Sequence, residues 1–73
     1  MRRTIPIDPN AAARLAARRR AAGLTQNALA LAAGLSEASI SKLETARVPL
    51  YPSALEAIDR VLAKAEQRVG AAS

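Results

Sequence analysis

The side chains of this chain that can do chemistry are cations, hydroxyls, amides and carboxylates; there is no thiol and no imidazole, because the sequence has neither Cys nor His. That excludes a zinc finger on ligand chemistry and removes Cys–His and Ser–His–Asp catalysis. No metal and no cofactor are expected, and no enzyme. What remains is charge and hydrogen bonding. Within one short stretch stand Glu37, Ala38, Ser41 and Lys42, offering an acceptor, a methyl group, a hydroxyl and an ammonium. Such groups match the edges of base pairs: Lys42 can donate to guanine O6 or N7, Glu37 can accept from cytosine N4, and Ala38 can meet a thymine methyl. Glu37 at a helix start would also complement the helix dipole. Ser36 and Ser41 can donate to a phosphate or a base, and Arg47 is suited to a phosphate by charge and position.

Helices must position these groups. The chain has 73 residues, the length of one domain, and a domain that small buries only roughly 60% of the surface its unfolded chain exposes. Without disulfides or metal, it needs well-formed helices or a partner chain. Alanine is abundant and is the best helix former, and no segment alternates as a strand would. Asp8-Pro9 supplies an N-cap and a first helical residue, so helix 1 is expected over about 9–22, with Gly23 as its left-handed stop. Thr25 caps a second helix over 26–33, ended by Gly34. Ser36 caps a third, which reaches Glu44 or Thr45. Pro49 and Pro52 forbid its continuation. Ser53 is expected to cap a long last helix over 53–69, ended by Gly70, with 70–73 a frayed tail. Residues 1–7 read as an arm, whose Arg2 and Arg3 either reach a groove or phosphates or stay solvated. The domain proper is then 8–69.

The second and third helices meet at a glycine turn, with small Ala30 at their close approach and Leu29, Leu35, Ile40 and Leu43 facing inward. The outer face of the third keeps Glu37, Ala38, Ser41, Lys42 and Thr45, polar or small enough to enter a major groove. Consecutive helical residues are rotated by about 100°, so one arginine of the run Arg18-Arg19-Arg20 must point inward. Periodicity selects Arg19, on the face of Ala12, Leu15 and Ala22. In the last helix, Leu55, Ile58 and Leu62 are expected to close the core. Val61, Leu62, Ala65 and Val69 are the candidates for a homodimer seam.

The pattern Gly23-Leu24-Thr25-Gln26, Leu29-Ala30, Gly34-Leu35-Ser36, Ile40-Ser41 and Glu44 resembles the phage repressor/Cro-type helix-turn-helix family over roughly 15–62. The resemblance implies an all-α, lambda-repressor-like DNA-binding domain of four helices, or five, with the helix-turn-helix at 26–45. It implies base reading by Glu37, Ala38 and Lys42, beside Ser41. It implies a phosphate contact from Gln26 at a helix N-terminus. Thr25, Ser36, Ser39, Thr45 and Arg47 complete the expected backbone contacts. Arg19 matches the family's helix 1 arginine and Glu44 its partner, an ion pair between helices. Two departures stand out. Ala46 replaces the glycine usual two residues after that glutamate, so helix 3 is expected to run longer or to end without a left-handed residue. Pro49-Leu50-Tyr51-Pro52 is unusual in the next connection, and one long helix stands in for a fifth short one.

Eleven Lys and Arg against six Asp and Glu give a net charge of +5 and a pI near 11.2, which favours a polyanion as partner. With one Tyr, no Phe and no Trp, the chain lacks the aromatic platforms of single-strand binders. No apolar run approaches the ~20 residues of a membrane span, and no apolar segment follows Arg2 and Arg3, so a cytoplasmic location in a bacterium or its phage is expected. The reading is a sequence-specific double-stranded-DNA-binding transcriptional regulator, a dimeric autorepressor on a palindromic operator. The alternative is an antitoxin-like module that binds a protein partner and autoregulates its operon, with Leu31 and Leu50-Tyr51 as its apolar contact points. An anionic-membrane peptide is disfavoured, because glycines at 23 and 34 and prolines at 49 and 52 interrupt any continuous amphipathic helix.

Overall fold

The computed structural model describes residues 7–49 and 51–72, and its elements are all helical: α1 (Pro9–Ala21), α2 (Gln26–Ala33), α3 (Glu37–Glu44) and α4 (Pro52–Ala72). Side chains cap the first three. Asp8 accepts from the Asn10 N–H at 3.0 Å, Thr25 from Ala28 at 3.0 Å and Ser36 from Ser39 at 3.1 Å, each satisfying an orphan donor of a helix start.

The same three helices end alike. After α1 the Leu24 N–H bonds the Arg19 carbonyl and Gly23 bonds Arg20; after α2, Leu35 bonds Ala30 and Gly34 bonds Leu31; after α3, Arg47 bonds Lys42 and Ala46 bonds Leu43. This is the paired closure of a Schellman motif, which needs a left-handed residue. Gly23 (φ +77°) and Gly34 (φ +73°) supply it twice, and Ala46 supplies it the third time at φ +57°. The expectation that α3 would run on, or end without a left-handed residue, is therefore corrected: the hydrogen bonds impose the conformation on an alanine.

Two expectations for α4 also change. Pro52, not Ser53 as a cap, opens the helix, since proline at the first position lacks only a donor that would be orphaned anyway, and the Leu55 N–H already bonds the Tyr51 carbonyl at 3.0 Å. The helix also passes Gly70 and reaches Ala72, so the tail expected to fray is helical that far. A mid-helix glycine costs about 1 kcal/mol relative to alanine, which does not by itself end a helix among good helix formers.

Leu29, Ile40, Ile58 and Leu62 are fully buried and form the centre of the core. Alanines at 12, 16 and 22 let α1 approach closely. Leu55, expected to close the core, is 40% exposed. Half-buried Ala54 packs there instead, because the inward row of α4 centres on Ile58 and Leu62 and leaves Leu55 at its edge. α1 and α2 each pack on both α3 and α4. The molecule measures 42 × 22 × 17 Å. At 1.5 Å per residue α4 is about 31 Å long, and it stays tied to α1 as far as Glu66, which Arg18 bonds. No helix among the described residues is long and apolar enough to cross a membrane.

Candidate nucleic-acid interface

The outer surface of α3 carries Glu37, Ala38 and Lys42, all exposed, with Ser41 half-buried among them. Ile40 and Leu43, on the inward row, are buried. The hydroxyls beside this face differ in freedom. The Thr25 oxygen accepts the Ala28 N–H, which leaves its own proton to donate. Ser36 and Ser39 share a hydrogen bond at 2.8 Å between their hydroxyls. Thr45 donates back to the Ser41 carbonyl at 3.0 Å. Its proton is thus engaged within α3, and its expected phosphate donation would require that bond to break.

Behind this face lies a charged clamp. Arg19 is 7% exposed. Its Nε donates to Glu44 Oε2 at 2.6 Å, one terminal nitrogen to Oε1 at 3.1 Å, and the other to the Leu24 carbonyl at 2.8 Å. Gln26 Nε2 donates to Glu44 Oε1 at 2.9 Å. The Glu44 carboxylate thereby ties α1, α2 and α3 together, and among the described residues no buried side-chain polar atom lacks a partner. Burial pushes the Glu44 carboxyl up, but hydrogen bonds from Arg19 and Gln26, with the charges of Arg19 and Arg20, outweigh it and hold the group below its ordinary range. Gln26 was expected on a phosphate. The structure commits one of its amide hydrogens to Glu44, so at most the second could make that contact.

The connection after α3 is fixed where it leaves the helix. The Arg47 N–H closes on the Lys42 carbonyl at 2.9 Å, and Val48 packs half-buried against the core. The Arg47 side chain stays exposed. Arg2 and Arg3 lie outside the described residues, as does Leu50.

Sequence reasoning missed the role of Arg18. Its guanidinium grips Glu66 through two bonds, at 2.7 and 2.9 Å, and Asp59 at 2.7 Å. These bonds raise the Arg18 pKa above its ordinary value and hold Glu66 below its own. The signal was present: Asp59 and Glu66 stand two helical turns apart on one side of α4. Of the residues expected in a homodimer seam, Leu62 is fully buried. Its side chain fills the core of its own chain and cannot meet a partner. Val61 and Ala65 pack half-buried against that core, and Val69 is 48% exposed.

Two short helices joined at a left-handed glycine, the second with a polar outer face, define a DNA-binding domain of the helix-turn-helix class. The helix-turn-helix domain family matches residues 11–69, and the chain belongs to that family. No curated protein and no solved structure matched the chain.

Proposed function

We propose that the chain is a sequence-specific transcriptional regulator of the phage repressor/Cro type, an autorepressor that binds an inverted-repeat operator as a homodimer. The observation that carries this reading is the outer face of α3: Glu37, Ala38 and Lys42 are exposed, on a helix whose inner end is anchored through Glu44 to two neighbouring helices. α3 enters the major groove. Lys42 reads a guanine, Glu37 a cytosine amine, Ala38 a thymine methyl, and Ser41 a nearby polar edge. Thr25, Gln26, Ser36, Ser39 and Arg47 hold the flanking phosphates, which sets register without carrying sequence information.

An eight-residue helix spans about 12 Å and reads few base pairs. Two copies with their α3 helices about 34 Å apart read a palindrome. The end of α4 around exposed Val69 is the proposed contact between copies. A dimer seated on its own promoter excludes polymerase, which makes repression the simplest output.

The test is selection from a random duplex library, followed by a salt titration of the winner against scrambled DNA. The expected result is an inverted repeat whose affinity falls steeply with salt and is selectively weakened by Lys42→Ala. Equal weak binding to every duplex would refute sequence reading. A concentration-independent monomer mass, with and without operator, would refute the dimer.

A further inference from the structure

Much of the positive charge is not on the reading face. Arg60, Lys64 and Arg68 stand at i, i+4 and i+8 on α4, a row about 12 Å long. None of the three is in a salt bridge among the described residues, whereas the acids Asp59 and Glu66 on the neighbouring side of the helix both face Arg18. Glu56 stands four residues before Arg60 on the same row, and from Arg60 onward the row is cationic only. The cationic row borders a groove of about 380 Å³ whose apolar floor is Leu24, Ala32, Val61 and Ala65. Like charges four apart on a helix repel, so Lys64 and Arg68 gain nothing within the row, while Arg60 has Glu56 one turn before it.

We infer that this groove docks an acidic, amphipathic segment of a partner protein, with an apolar side chain on the Val61–Ala65 floor and carboxylates on Arg60, Lys64 and Arg68. Charge complementarity selects that occupant. A second copy of this chain, related by a twofold axis through the groove, would set cation against cation. A phosphate backbone would use the row and gain nothing from the floor. Two turns of a partner helix match the row's length and present carboxylates at the same spacing. The groove shares no residue with the outer face of α3, and it lies beyond the stretch of α4 nearest α3, Lys64 being about 15 Å along the axis from Ala54. The inference does not depend on the operator reading.

The experiment titrates the isotope-labelled full chain with synthetic peptides: a four-turn amphipathic helix with leucines on one face flanked by Asp and Glu, and its scrambled counterpart. Amide shifts should gather at Leu24, Ala32, Val61 and Ala65, with the patterned peptide bound at least about tenfold more tightly, a gap of one decade in Kd. R60Q/K64Q/R68Q, which removes the charges and keeps helix propensity, should lose the binding. A32R, which obstructs the groove but adds charge, should lose it too. Equal affinity for both peptides, shifts on α3, or binding that survives A32R would each overturn the proposal. So would a DNA salt slope that falls by about 2.7 in the triple variant, the value for three phosphate contacts at ~0.9 each, because the row would then belong to DNA. An unchanged slope with lost peptide binding is the supporting result, whether or not the operator prediction holds.

Discussion

Replacing Ala46 with glycine should stabilise the protein, although it removes a methyl group. Ala46 sits at φ +57°, held there by the closure of Arg47 on Lys42 at 2.9 Å and of Ala46 on Leu43 at 3.2 Å. A left-handed backbone costs an L-residue about 1–2 kcal/mol, and glycine removes that strain. Against the gain stand the larger freedom of glycine in the unfolded chain, about 0.4–1 kcal/mol, and the loss of a half-buried methyl, a fraction of the ~0.8 kcal/mol for full burial. The balance is a gain of about 0.5 kcal/mol, or roughly 2–4 °C in Tm for a domain of this size. The control is Gly34→Ala, at the equivalent position after α2. A Cβ there meets nothing within 4 Å, so its cost is conformational alone, and the variant should melt lower by a similar amount. Thermal melts of the wild type and both variants at matched concentration decide the matter. If Ala46→Gly melts at or below wild type while Gly34→Ala melts lower as expected, the strain at Ala46 does not exist in solution. The reasoning from the shared helix ending would then fail.

Removing the clamp has larger effects. Arg19→Ala leaves the Glu44 carboxylate, 4% exposed, without its counter-charge, and should cost about 3–5 kcal/mol; a denaturant midpoint equal to wild type would refute the pairing. Because the folded state holds the Glu44 carboxyl below its ordinary range, its contribution is complete above the unfolded value of about 4.3 and is lost as pH falls through the lower folded value. Stability should therefore drop below about pH 4, more steeply in wild type than in Glu44→Gln, as melts at stepped pH would read. Lys42→Ala should weaken the preferred site by about 1 kcal/mol, the low end for a single base contact, with little change on scrambled DNA. Arg47→Ala should weaken both duplexes alike and flatten the salt slope by about 0.9; a sequence-selective loss would move Arg47 from the phosphate to the bases.

Much of the architecture is local and could therefore be read from the chain alone. Asp8, Thr25 and Ser36 announce three helix starts, and Gly23 and Gly34 announce two ends, because capping and left-handed turns depend on residues only a few positions apart. The inward turn of Arg19 also follows from periodicity, since three consecutive arginines cannot share one helix face. What was not legible depends on tertiary partners. Nothing local marks Gln26 as bonded to Glu44, whereas the bond of Thr45 back to the Ser41 carbonyl is local, one of several its hydroxyl could make. Leu62 illustrates the limit: its spacing suits both a core and a dimer seam, and only the packing of α1 and α2 against α4 decides for the core.

Ala46 is the opposite case, where local chemistry argues for one ending and the structure adopts another. A left-handed alanine persists only when its surroundings over-determine it. Here Val48, half-buried against the core, and the two carbonyls at the end of α3 supply that constraint. The strain is therefore evidence of how firmly the end of the recognition helix is held. An interface that reads bases needs Lys42 at a fixed height in the groove, and the carbonyl of that same residue is the one the Arg47 amide clasps. The proposed phosphate contact of Arg47 and the proposed base contact of Lys42 thus rest on one turn, and a substitution that opens that turn should loosen both together.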